Sequence, residues 1–195
     1  DTIFGAGVNT FDLEVATGLE ILGASDKGDA DLTRSNANPQ ATKIEAGFSR
    51  LQRVTDNLNL FVRTEGQWAT SSMLSSEEFG VGGVNLGRGY DSSEIIGDDG
   101  VAGSVEIQWN SPYNIDYVDD YQLYAFYDAG RVWNDNPGSE DLERDTLTST
   151  GLGLRLGLMD NSLQFGSFVG IPLNRSVETE GDEDPRFFVS LTKTF

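Results

Sequence analysis

The sequence predicts an all-β chain, folded as an antiparallel up-and-down transmembrane β-barrel. Three observations predict it. Polar and apolar residues alternate with period two through about eight segments, and no helical period competes over a comparable length. Short and long connections alternate along the chain, the form of a sheet that crosses a bilayer with short turns on one side and long loops on the other. Trp68, Trp109 and Trp133 all fall in the apolar register at strand ends, where membrane interfaces select amphipathic rings.

Taken in order, Phe11, Leu13, Val15, Thr17, Leu19 and Ile21 oppose Asp12, Glu14, Ala16, Gly18 and Glu20. A polar stretch follows over 24–41. Ile44, Ala46, Phe48 and Arg50 then oppose Lys43, Glu45, Gly47 and Ser49. Thr55-Asp56-Asn57 reads as a tight turn, because Asp and Asn bond their own backbone. Leu58, Leu60, Val62, Thr64, Gly66 and Trp68 oppose Asn59, Phe61, Arg63, Glu65 and Gln67. Beyond a long loop at 70–100, Val101, Val105, Ile107 and Trp109 oppose Ala102, Ser104, Glu106 and Gln108. Past an intermediate connection at 110–119, Tyr121, Leu123, Ala125, Tyr127, Ala129 and Trp133 oppose Gln122, Tyr124, Phe126, Asp128 and Gly130. An acidic loop, 135–145, carries Glu140, Asp141, Glu143 and Asp145. Leu152, Leu154, Leu156 and Leu158 oppose Gly151, Gly153, Arg155 and Gly157, and Asp160-Asn161 is a hairpin turn. Leu163, Phe165, Val169, Ile171 and Leu173 form the next apolar face. A second acidic loop, 175–185, holds Glu178, Glu180, Asp182, Glu183 and Asp184. Phe187, Val189, Leu191 and Phe195 close the chain, with Lys193 interrupting their register.

The chain has 195 residues, a formal charge of −19, no cysteine and no histidine. Disulfide and thiol chemistry are thereby excluded, with the commonest metal ligand and general base. The acidic balance argues against nucleic acid as a partner. No run reaches the roughly 18 apolar residues of a spanning helix. That does not bear on a barrel, whose segments merely alternate. No signal peptide opens the chain, and Asp1 replaces an initiating Met, so a mature fragment or a piece of something longer is expected. The charges on the second face, including Glu14, Glu20, Lys43, Glu45, Arg63, Glu65, Glu106, Asp128 and Arg155, fit a wet lumen. They also fit the solvated face of a soluble β-sandwich binding module, and a passive porin is a further reading.

The 70–100 loop is long for a connection between paired strands, and loops of that length are usually functional or disordered. It is glycine-rich and contains Arg88-Gly89-Tyr90, with Arg88 its only cation. An arginine can grip a carboxylate with two parallel hydrogen bonds. Asp128 lies in the inward register of the wall, with Glu65 and Glu106 as alternative carboxylates. Gly87 and Gly89 would permit close backbone approach, and Gly103 and Gly130 would remove bulk from the wall. Taken alone, Arg88 reads first as a solvated loop arginine. No calcium-loop spacing, phosphate loop or nucleophile–histidine pair is present, so no cofactor, metal or enzyme chemistry is expected.

Arg88-Gly89-Tyr90, Gly97-Asp98-x-Gly100, Phe126-x-Asp128-x-Gly130 and a terminal Phe195 resemble, in order and spacing, the outer-membrane transporters of two-partner secretion. These are the haemolysin secretion/activation type, in the superfamily that also holds the barrel-assembly insertases. Gly66-Gln67 and Phe79-Gly80-x-Gly82-Gly83 look like the secretion branch. The family places an aliphatic residue where this chain has Gly87. The resemblance implies that residues 1–195 are the C-terminal half of a sixteen-stranded barrel in the outer membrane of a Gram-negative bacterium. It implies multiple membrane passes and a passive pore for a secreted partner protein, with 70–100 inserted in the lumen. Arg88, Gly89, Tyr90 and Asp128 would form the loop latch. Glu65, Glu106, Phe126 and Gly130 would be the wall beside it, and Trp68, Trp109 and Trp133 would meet outer-membrane lipid. Phe195 would be the signal read by the barrel-assembly machinery. An insertase of the same superfamily is the alternative.

Overall fold

A computed structural model of the chain describes residues 5–113, 116–135, 137, 142–175, 177 and 181–195. The strands are β1 (Gly7–Thr17), β2 (Thr42–Arg53), β3 (Leu58–Ala69), β4 (Phe79–Val81), β5 (Ile95–Gly97), β6 (Asp99–Asn110), β7 (Asp120–Trp133), β8 (Arg144–Leu158), β9 (Leu163–Pro172) and β10 (Arg186–Lys193). Eight of them form one antiparallel meander, β1-β2-β3-β6-β7-β8-β9-β10, and β4 and β5 pair separately within the long loop. Most are long enough to cross a bilayer, which takes about 9–11 tilted residues. β1 and β10 end the sheet and do not pair with each other. Among the described residues the eight strands therefore form an open sheet rather than a closed barrel.

The two faces divide by chemistry. On β6, Ala102, Ser104, Glu106 and Gln108 are buried while Val101, Val105 and Ile107 are exposed. On β7, Tyr124, Phe126, Asp128 and Val132 are buried while Leu123, Tyr127 and Trp133 are exposed. The covered, inner face is therefore the polar one. The outer face carries exposed Phe11, Leu13, Val15, Leu152, Phe187 and Leu191. A sheet in water does not leave so continuous an apolar face bare, and a sandwich would bury that face instead.

What covers the inner face is the 70–98 segment. Its Val81, Leu86, Tyr90 and Ile95 pack with Ala102 of β6, Val132 of β7 and Leu147 of β8 into the main apolar cluster. The core thus lies between a loop and the wall, not between two sheets. Trp68 and Trp133 stand at the end of the sheet from which this loop springs. Trp109 stands at the opposite end, its ring edge-on to Tyr121 at 6.0 Å.

Several expectations need correction. The first strand is shifted: Leu19 and Ile21 keep the alternation, but the β1–β2 ladder stops at Thr17↔Thr42. A side chain at Gly18 would strike the Pro39 carbonyl, so the chain leaves the sheet there, and Glu20 is not part of the wall. β8 starts at Arg144, well before Gly151. Its first turn of charges and hydroxyls resembles loop in sequence, yet it completes a ladder from Arg144↔Trp133 to Ser149↔Asp128. Gly103 faces away from the loop, since a Cβ there would meet Arg63 and Thr64 of β3. In the 54–57 turn the side chain that bonds the backbone is Thr55, whose Oγ1 accepts from Leu58 N at 3.1 Å. The turn expected as the two residues Asp160-Asn161 is a longer one: Leu158 pairs with Leu163, so residues 159–162 lie between the strands, and Met159, Asp160 and Asn161 all have positive φ (56°, 55° and 59°). Glu140, Asp141, Glu178 and Glu180 lie outside the described residues.

Candidate functional site

The tip of the loop, Gly87 to Tyr90, is held on the inner face by Arg88. The Arg88 Nε donates to Asp128 Oδ2 at 2.9 Å, and Nη2 donates to Asp128 Oδ1 at 2.7 Å. The same Oδ2 accepts the backbone N–H of Gly87 at 3.1 Å and of Arg88 at 3.0 Å. Nη2 also donates to Ser104 Oγ at 2.7 Å, and Nη1 donates to Glu106 Oε1. Below, the guanidinium lies 3.6 Å from the Phe126 ring centroid. Arg88 is 3% exposed and Asp128 fully buried. A charge pair this dry offsets its desolvation only when the remaining lone pairs and protons are also satisfied, and here nearly every one is.

The period-2 register of β6 and β7 makes this cradle. Ser104 and Asp128 are direct cross-strand neighbours, as are Glu106 and Phe126, so one β6–β7 pair presents four of the groups around Arg88. Glu106 is held from its other side by Arg155 of β8 at 3.2 Å and by Gln108 Nε2 at 2.8 Å. Arg155 in turn lies 3.9 Å over the Tyr124 ring.

Close approach is built from glycines. Gly87 has φ +78°, a conformation that disfavours any side chain. A Cβ on Gly89 would come within 2.7 Å of Pro172 N, and one on Gly170 within 2.1 Å of the Arg88 carbonyl oxygen. Val81 of β4 sits where a Gly130 side chain would be. Tyr90 is fully buried, its hydroxyl 3.1 Å from the Thr148 carbonyl and 3.2 Å from Asn174 Oδ1. Asp91 pairs with Arg186 of β10 at 2.5 Å. One loop thus touches every strand from β6 to β10.

The root of the loop has a second charged hub. Asp98 is fully buried and accepts from Arg34 Nη1 at 2.6 Å, Met73 N at 2.6 Å and Asp135 N at 2.8 Å. Arg34 also pairs with Glu78 at 2.9 Å and donates to the Met73 carbonyl at 3.1 Å. Gln67 of β3 bridges the Glu77 and Asp98 carbonyls at 3.0 Å each.

The structure brings Arg88, Gly89, Tyr90, Asp128, Glu106, Phe126 and Gly130 together. Glu65 stands apart and pairs with Arg63 of its own strand. Trp68, Trp109 and Trp133 lie at the sheet ends, remote from the cradle. Phe195 follows β10 and is exposed, 6.0 Å from Lys193 Nζ. Sequence reasoning missed Arg34, Ser104 and the contribution of β8 and β9. The glycines alternating with leucines in β8 did carry a signal, since glycine within a strand marks close approach. A Cβ on Gly151 or Gly153 would strike the Phe126 or Tyr124 ring. Arg34 had no signal, lying in a polar run without period.

Among solved structures, CdiB from Escherichia coli is similar, with a TM-score of 0.74 and 21% identity over 97% of this chain and 34% of CdiB. At that identity the likeness speaks for the fold, and the chain spans about a third of CdiB's length. No curated protein matches the chain. Residues 1–156 match the family model described as haemolysin secretion/activation protein ShlB/FhaC/HecB. With that match covering most of its length, and with an up-and-down sheet whose apolar face looks outward, the chain belongs to the haemolysin secretion/activation family of two-partner secretion, a family of outer-membrane β-barrel transporters.

Proposed function

We propose that residues 1–195 are the C-terminal part of a multi-pass outer-membrane pore that passes an unfolded partner protein outward, and that the 70–100 loop is its latched plug. The carrying observation is the seating of Arg88 on Asp128, Glu106 and Ser104 by a loop laid across the polar face of the wall. A channel lining is polar in a transmembrane barrel, and a segment lying across it must move for a chain to pass. The contacts are ones a moving part needs: a compact charged clasp at the tip, with backbone against glycine elsewhere. Conduction is passive, with the wall giving hydrogen-bonding surface and no reaction. The exposed outer face would meet lipid, with Trp68, Trp109 and Trp133 at its margins, and Phe195 would be read by the assembly machinery.

The test is charge reversal, Asp128→Arg, in the full-length transporter with its partner. Expected are faster protease cleavage within 70–100, a higher resting conductance in planar bilayers, and altered secretion. Unchanged secretion together with unchanged loop protection would overturn the reading.

A further inference from the structure

We infer that the cradle seating Arg88 is also a receptor for an arginine-bearing segment of the exported chain, which competes with the loop tip for it. This rests on the secretion reading above. The first ground is charge. Asp128 and Glu106 are both buried, and among the described residues Arg88 is the cation that pairs with Asp128. When the tip leaves, that carboxylate loses the guanidinium and two backbone donors and is left with Glu106 as like charges on one patch of the wall, an unfavourable arrangement. Arg155 can stay on Glu106, but it does not pair with Asp128. A cation arriving as the tip departs lowers that cost, and the passing chain is the polymer at hand.

The second ground is shape. Asp128 binds the guanidinium edge through both oxygens, and Phe126 offers a face for a planar cation to lie on. That combination suits arginine better than lysine, whose ammonium is a compact point charge. The inner face extends the platform, since the Phe126 ring is edge-on to Phe168 at 5.9 Å, and Phe168 stacks on Phe188 at 4.7 Å. An arginine sliding off the cradle therefore meets further aromatic rings.

The third ground is unused capacity. Ser149 is fully buried and lies directly opposite Asp128 in the β7–β8 ladder. Among the described residues, its Oγ has no hydrogen-bond partner. The wall beside Gly89 thus holds a hydroxyl that the tip leaves unbonded. A competitor that uses it can displace a tip that is otherwise well held, because a ligand shifts an equilibrium by its differential affinity.

The test uses the full-length transporter in planar bilayers without partner protein. The probe is acetyl-Gly-Arg-Gly-Tyr-amide, which repeats residues 87–90, beside analogues with lysine or citrulline for arginine. In Arg88→Ala channels the arginine peptide is expected to block reversibly. The lysine analogue should be weaker by about tenfold, the loss of one charge-assisted bond, and citrulline should be without effect. Asp128→Asn should abolish the block. In channels with Arg88 intact the arginine peptide should displace the tip, read as faster protease cleavage within 70–100, and Ser149→Ala should raise the concentration needed. That second measurement carries the test if Arg88→Ala barrels do not assemble. Equal action of the citrulline peptide, or a block that survives Asp128→Asn, would overturn the inference. Arginine-selective block with no export of any partner in cells would overturn the secretion reading and, with it, the exported chain as the source of the arginine, while leaving the cradle's selectivity for arginine standing. Export without arginine-selective block would sink only this inference.

Discussion

Arg34 and Asp98 meet across 64 residues of sequence, Nη1 to Oδ1 at 2.6 Å, and so tie the first long connection to the root of the 70–98 loop. The aspartate is fully buried and also caps the backbone of Met73 and Asp135. Asp98→Ala leaves Arg34 half-paired and two backbone donors open. Breaking a buried pair in this way costs about 3–5 kcal/mol. Faster limited proteolysis of both 24–41 and 70–98 is expected, with the barrel itself intact by heat-modifiable migration. Asp98→Asn, which keeps an acceptor oxygen, should fall between. If only one of the two segments becomes cleavable, the hub does not couple them.

The Arg88–Asp128 contact should not survive exchange of its two charges. Asp128 accepts two backbone N–H groups besides the side chain, and an arginine at 128 has no acceptor for them. The double variant Arg88→Asp, Asp128→Arg is therefore expected to stay as leaky as either single variant. Arg88→Lys should also leak, because the forked geometry is lost. Resting conductance checks both, and a tight double variant would show that charge alone holds the tip.

Gly170→Ala places a methyl group 2.1 Å from the Arg88 carbonyl oxygen. The wall strand tolerates alanine, so folding is expected to persist while the tip is pushed off. Gly166→Ala is the control on the same strand, since its Cβ meets only the movable Ser190 hydroxyl at 2.8 Å. The first variant should raise conductance and the second should not. Equal behaviour would mean that the tip is not seated on β9.

Ser149→Ala is expected to tighten the latch. An unpaired buried hydroxyl costs about 1–3 kcal/mol, and the alanine removes it without opening space at the backbone. Open intervals should become rarer by about fivefold or more, on the scale where ~1 kcal/mol is a factor of five. More frequent opening would show that the hydroxyl supports the closed state.

Alternation made most of the wall legible. β3, β6 and β7 stand within a residue or two of where period and turn chemistry put them, because each has one wet and one apolar face. The misplaced ends have a common cause. At Leu19 the pattern outlasts the hydrogen-bonded ladder, and at Arg144 the ladder outlasts the pattern, since strand ends beyond the apolar band face water on both sides. The cradle was partly legible because Asp128 and Glu106 share the inward register. Ser104 sits in that register too, but nothing distinguishes its hydroxyl from others in the sequence. Arg34, Gly170 and Ser149 depend on how a loop drapes over distant strands, which no local period records.

The reach of the loop from β6 to Arg186 on β10 has a mechanical side. A strap fastened at both ends across several strands resists shear between neighbours, as a tie-rod braces an arch. In the proposed pore, a fastened loop would stiffen the wall as well as block it. Unfastening it would soften the arch at the moment the bore is needed, so aperture and compliance rise together.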